Sequence, residues 1–277
     1  MAQRRTPGKR RAKSATQAQR AEKFVCYERA VQAPEVDAGF IDRTFRRQRG
    51  RAPRILREDF CGTAALCADW VKRHSENRAI GIDLHEPTLN WGIRRHLVPL
   101  GAAASRVELI RQDVREPIGR RADAVAAFNF SYCVFKERAT LRRYLGSVRK
   151  GLKPDGILFM DLFGGPEAME LREERTRYEA FDYVWDQAAF NPITHEITCH
   201  IHFEFRDGSD MRRAFTYHWR LWQIPEIREI ALEAGFRECI VYWEGTERAT
   251  GEPNGVFRPS LKGDNAPAFV SYLVCLK

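Results

Sequence analysis

The sequence predicts an α/β protein: a seven-stranded, mostly parallel sheet with an antiparallel terminal hairpin, plus a small antiparallel β insert. Three observations carry this. Short apolar segments begin at Ile55, Ala79, Val107, Asp123 and Gly156 and alternate with helical stretches, the pattern of a parallel sheet covered on both faces. Beyond Gly165 the apolar period drops to two, as in antiparallel strands. Finally, the first apolar segment enters a turn of small residues around Gly62. An acid, Asp83, follows about twenty residues later, the spacing of nucleotide-binding α/β units.

Taken in order, residues 22–49 read as helix. Phe24, Tyr27, Ala30 and Val31 form one face, Pro34 interrupts, and Phe40, Ile41 and Phe45 begin a second run. Strand 55–58 leads to helix 63–74, and strand 79–83 to helix 86–97. Strand 107–112 comes next, then strand 123–129 and helix 137–151. A Leu152–Gly156 turn opens strand 156–162. Helix 166–177 is expected next. Strands 180–187, 195–205 and 212–222 follow, the last two joined by a turn at 206–210. Helix 224–234 ends at Gly235. Strand 238–243, a polar loop 244–266 and strand 267–276 make the terminal hairpin.

The 277 residues suit one domain over 22–277, with 178–222 as an antiparallel insert, behind a basic tail, 1–21. No apolar run is long enough to cross a bilayer, so no membrane partner is expected. The seven cysteines are scattered without a Cys-x-x-Cys pair, which favours a reducing, cytoplasmic setting and no structural metal. Of the +9 net charge, seven basic residues and no acid lie in residues 1–20, so the remainder nets only +2. Such a tail is too polar to fold alone and leaves a nucleic-acid contact open.

The turn carries the chemistry. Small side chains let a ligand approach the backbone, and the following helix aims free N–H groups at it. A pyrophosphate would call for three glycines; this turn has Gly62 alone, and the smaller backbone clearance is consistent with a smaller ligand. Tyr27 and Glu28 are placed beside it by the preceding helix. His200 and His202 share a strand face that reads as a polar outer surface. Trp185, Tyr217, Trp219 and Trp222 read as sheet packing.

Glu58-Asp59-Phe60-Cys61-Gly62-Thr63-Ala64 resembles the first motif of the class I S-adenosylmethionine-dependent methyltransferases, a Rossmann-like family, with Phe60 and Ala64 standing where the family often has glycine. Ile80-Gly81-Ile82-Asp83-Leu84 resembles the second motif and Arg111-Gln112-Asp113-Val114 the third. Asn129-Phe130-Ser131-Tyr132 resembles the fourth, and Leu152-Lys153-Pro154-Asp155-Gly156 the fifth. The resemblance runs from about residue 24 to the end. It implies S-adenosyl-L-methionine as cofactor, with the Glu58–Ala64 turn and Tyr27 around its methionine half. Asp83, with Leu84 beside it, would pair with the ribose hydroxyls. Asp113 would take the adenine amino group, and Val114 would pack on the ring. Asn129, Phe130 and Ser131 would lie nearest the methionine half, with Asn129 and Tyr132 as candidate catalytic residues. The insert would be a lid over a small-molecule acceptor. RNA, a ribosomal component, or a non-catalytic nucleotide-binding role are the alternatives.

Overall fold

The structure, a computed structural model, describes residues 14–247 and 250–277. Residues 1–13 of the expected tail lie outside the described residues. Its remainder is structured: α1 (Gln17–Arg20) is capped by Thr16, and Gln17 N–H donates to Asp207 at 2.8 Å. The folded body therefore starts before residue 22, anchored on the tip of the insert.

Two helices follow, α2 (Lys23–Val31) and α3 (Pro34–Arg49), the second opening on Pro34, whose fixed φ and missing N–H suit a first helical position. The alternating core then runs β1 (Ile55–Asp59), α4 (Ala65–Lys72), β2 (Arg78–Asp83), α5 (Glu86–Gly92), β3 (Val107–Arg111), β4 (Ala122–Ala127), α6 (Arg138–Gly151) and β5 (Leu152–Gly164). The insert is β6 (Arg172–Arg177), β7 (Phe181–Asn191), β8 (Glu196–Phe205) and β9 (Asp210–Arg220). The chain ends with α7 (Ile224–Glu233), β10 (Glu238–Thr246), β11 (Pro253–Pro259) and β12 (Phe269–Leu276).

The large sheet has eight strands, not seven, in the order β11-β10-β12-β5-β4-β1-β2-β3. The neighbours from β5 to β3 are parallel, and β12, β10 and β11 are antiparallel additions. The extra strand, β11, falls inside the expected loop 244–266. Its polar sequence, bounded by Pro253 and Pro259, suits only a sheet edge. The expected helix 166–177 is also corrected: Pro166–Met169 forms one 3₁₀ turn, and Arg172–Arg177 is the edge strand β6. Its Glu and Arg residues favour helix locally, but pairing with β7 decides the outcome. Helix 86–97 stops at Gly92 and passes through a π turn at Ile93–Leu97.

Both faces of the sheet are covered. Leu141, Tyr144, Leu145 and Val148 of α6, at i, i+3, i+4 and i+7, pack with Ile227 and Ile230 of α7 on one face. Ile41 and Phe45 of α3 and Trp70 and Val71 of α4 cover the other. The chain lays β1, β2 and β3 outward in one direction, then returns to place β4 on the far side of β1. The crevice between the carboxyl ends of β1 and β4 is thus the switch point at which open α/β sheets bind ligands. The insert, in order β6-β7-β8-β9, sits over that edge and packs Phe181, Ile201 and Phe203 near Cys26 and Tyr27 of α2.

Candidate active site

The tips of β1 and β2 are tied together by the turn itself. Cys61 N–H donates to the Ile82 carbonyl at 3.0 Å. Gly62 N–H donates to Asp83 Oδ2 at 2.9 Å, and His85 N–H donates to Asp83 Oδ1 at 2.8 Å. Each oxygen of Asp83 has spent one acceptor site and keeps another, so the carboxylate is held in place with capacity to spare. Gly62 has φ +52°, and a Cβ added there would meet only Thr88, at 4.0 Å. The approach to its backbone is open.

The two positions that depart from glycine both adopt left-handed backbone, Phe60 at φ 58° and Ala64 at φ 59°, costing about 1–2 kcal/mol each. Phe60 has a compensation: its ring packs between Phe135 and Tyr144, with centroids 5.8 and 5.9 Å away. It fills the α6 side of the core and leaves the turn clear. Ala64 is fully buried directly before α4, which begins at Ala65 and not at the expected residue 63.

Glu58 and Asp59 diverge as strand neighbours must. Glu58 accepts hydrogen bonds from Cys67 N–H at 3.1 Å and Cys67 Sγ at 3.0 Å, and burial pushes its carboxyl up to about 8. Asp59 is corrected as a cofactor ligand. Its carboxylate is 1% exposed on the opposite face, paired with Arg57 at 2.6 Å and accepting from Tyr144 Oη at 2.8 Å. Cys61 and Thr63 are also buried, and Thr63 Oγ1 donates to Glu28 Oε1 at 2.7 Å. His96 Nε2 lies 2.6 Å from the same Glu28 oxygen. Glu28 therefore clasps α2 to the turn, using a histidine that the π turn re-aims.

Further along the edge, Leu84 stands 63% exposed beside Asp83. Asp113 is gripped by Arg115 through Nε and Nη2, which holds its carboxyl below the usual range. Val114 is 4% exposed with its side chain in the core, so its predicted stacking role is corrected. At the end of β4, Asn129 and Phe130 both have φ 56°. Their N–H groups donate to the two oxygens of Asp161, at 2.7 and 2.9 Å, and this bidentate grip holds the strained pair. Burial pushes Asp161 up to about 7. Ser131 Oγ donates to the Phe128 carbonyl. Tyr132 is corrected as a catalytic candidate: it is fully buried, and its hydroxyl donates to the Asp161 carbonyl at 2.7 Å.

Asn129, Phe130 and Tyr27 also line a cavity of about 420 Å³ between the sheet edge and the insert. Its walls include Phe163 from β5, Trp185 from β7, and Tyr217 and Trp219 from β9. Tyr217 and Trp219 stack at 4.3 Å, and Trp185 lies 6.0 and 6.1 Å from them. Three of the four aromatic residues read as packing thus face the cavity. Trp222 alone is core, donating its Nε1–H to the Phe135 carbonyl. His200 and His202 are 6% and 3% exposed, not an open polar face. His202 accepts Arg213 N–H at Nδ1 and directs Nε2 at Asp186, 3.3 Å away. With Glu173 these donors lie within 4.8 Å of one another on the insert's outer side, but His202 is already hydrogen-bonded at both nitrogens.

Sequence reasoning missed Gly92, where a Cβ would strike the Thr63 carbonyl at 2.1 Å. That glycine lets α5 lie directly against the turn. It also missed His96, and Glu167, Glu174 and Glu244 of the cavity.

No family model matches the chain, and no curated protein is similar to it in sequence. Solved structures do match. A methyltransferase from Clostridium acetobutylicum, described as S-adenosylmethionine-dependent, has a TM-score of 0.68 at 15% identity, covering 92% of this chain and 97% of its own. The fold is that of the S-adenosylmethionine-dependent methyltransferases. A SAM-bound amino pentose methyltransferase from Micromonospora echinaspora matches at 0.64 and 17% identity, over 91% and 95% of the two chains. A sugar N-methyltransferase from Streptoalloteichus sp. matches at 0.61 and 16%, over 99% of both. All three matches run over nearly the full length of both chains. Such likeness gives no support to a nucleic-acid partner.

Proposed function

We propose that the chain is an S-adenosyl-L-methionine-dependent methyltransferase acting on a small-molecule acceptor. The observation that carries this reading is the junction at Asn129: an open glycine turn with an anchored carboxylate on one side, and an aromatic-walled cavity on the other. The neighbours' descriptions, small-molecule methyltransferases among them, support the same reading.

The residues present fit the cofactor. Gly62 offers unobstructed backbone, Asp83 has acceptor sites left for ribose hydroxyls, and Leu84 offers an exposed apolar face for the adenine. Bound S-adenosyl-L-methionine would supply a methyl group already activated by a sulfonium. The protein's share is then alignment and dryness, which can account for several kcal/mol of barrier lowering. Asn129, whose side chain makes no hydrogen bond to another described residue, would orient the acceptor. Tyr27, pushed up to about 12 by burial, stays protonated and positions by donating a hydrogen bond. The insert, residues 178–222, would be the lid that excludes water. The seven free, buried cysteines support a cytoplasmic setting.

Calorimetry with S-adenosylhomocysteine tests the reading. Saturable binding is expected, and no heat at millimolar ligand would end the methyltransferase case.

A further inference from the structure

Resting on the methyltransferase reading of the same site, we infer that the acceptor is a cationic amine, held as its ammonium form by the aromatic walls and acidic mouth of the cavity beyond Asn129. The argument starts from charge. Glu167, Glu174 and Glu244 line the cavity, and no lysine, arginine or histidine among the described residues does. Arg172 offsets part of this from outside, lying 2.5 Å from Glu167 and 3.2 Å from Glu174. Glu244 has no such cation among the described residues; its Oε1 accepts the Gly255 N–H at 2.7 Å. The balance inside is negative in a chain whose net charge is +9.

The walls agree with the charge. Trp185, Tyr217 and Trp219 form an aromatic bank, and Phe130 and Phe163, 4.7 Å apart, continue it at 6.4 and 6.5 Å from Trp219. Ring faces carry negative quadrupole density and attract ammonium groups, more strongly when the site is shielded from water. A carboxylate or phosphate acceptor would meet three glutamates and aromatic faces, with no cation among the described lining residues to pair it. A neutral phenol or alcohol would gain the apolar contact but leave the acids unused.

The arrangement also deals with the proton. Nucleophilic attack needs the free amine, so the bound ammonium must shed one proton, and the glutamates at the mouth can accept it and pass it to water.

Two probes of one shape separate charge from fit: choline, and 3,3-dimethylbutan-1-ol, its uncharged carbon counterpart. Both are titrated into full-length protein saturated with S-adenosylhomocysteine, following tryptophan fluorescence. Choline is expected to bind at least about tenfold more tightly. Glu244→Gln should weaken choline about fivefold and leave the alcohol unchanged, and Trp185→Leu should weaken choline about tenfold. Both variants should keep wild-type affinity for S-adenosylhomocysteine, which also reports that they are folded. Equal affinities, a preference for the alcohol, or no saturation by choline below about 50 mM would overturn the inference. The product titration without probes stands apart: its failure sinks the cofactor reading, whereas a normal product titration with no charge preference sinks only the amine.

Discussion

At the tips of β1 and β2, the groups that would meet a cofactor are fixed by backbone: the open face of the chain at Gly62, and the Asp83 carboxylate braced by the Gly62 and His85 amides. Across Asn129 the construction is reversed, and side chains from α2, β5, β7, β9 and the segment before β12 wall the cavity. The turn can therefore keep its geometry through changes of side chain, as Phe60 and Ala64 show by adopting glycine-like angles. The cavity changes character with every substitution. One scaffold can thus hold a cofactor constant while its acceptor drifts.

The hinge between the two halves is Asp161, and its removal should have the largest effect. Asp161→Ala strips the acceptor from two N–H groups and frees a strained pair at φ 56°. Each orphaned buried donor costs about 1–3 kcal/mol, so a loss of about 3 kcal/mol in urea unfolding is expected. Methyl transfer should fall at least about 100-fold, since a small misplacement is enough for that. Wild-type stability would show that the β4 loop is held by something else.

On the cofactor side alone, Asp83→Ala should weaken S-adenosylhomocysteine by about 1.5–3 kcal/mol, the range for hydrogen bonds to a charged group. Choline affinity should be untouched. If both ligands weaken together, the two halves are not separately built and the comparison fails.

Phe60→Gly sharpens the claim that a side chain can justify a strained turn. Removing the ring opens a hole beside Phe135 and Tyr144, while glycine relieves the left-handed strain. The ring is only partly buried, so the net cost should be about 1–2 kcal/mol by urea unfolding. Ala64→Gly, which removes one methyl and the same strain, should be close to neutral. A stabilised Phe60→Gly protein would mean that the ring contributes less than the backbone strain costs.

The same contrast explains what the sequence made legible. Turn chemistry and the spacing to the second strand's end placed Gly62 and Asp83, whereas Glu58 and Asn129 came from the resemblance of their motifs to the family's. Cavity residues as far apart as Tyr27 and Phe269 meet only through the sheet order, which no local pattern encodes. The polar strands β6 and β11 are strands by pairing, against their own composition. Asp59 was readable and missed: Arg57 and Asp59 share a strand face at i and i+2, opposite Glu58. The re-aiming of His96 by a π turn had no signal of its own.

The smallest effect expected is a pH dependence that belongs to the turn and not to the cavity. Glu58 is raised from 4.5 to about 8, chiefly by burial, with Asp37 and Asp83 adding repulsion. A carboxyl raised on folding binds its proton more tightly in the native state. Its stabilisation is thus fully present below the unfolded value and is lost as pH climbs toward the folded one. Asp37, near 6, and Asp161, near 7, act in the same direction, so the slope of the wild-type protein alone does not isolate Glu58. The difference between wild type and Glu58→Gln does. That difference should shrink by about 1–2 kcal/mol between pH 5 and 8, Glu58 being only half-buried. Urea unfolding of both proteins at several pH values measures it. A constant difference would place an ionised carboxylate beneath the turn, and Cys67, its only donor among the described residues, could not then be its sole support.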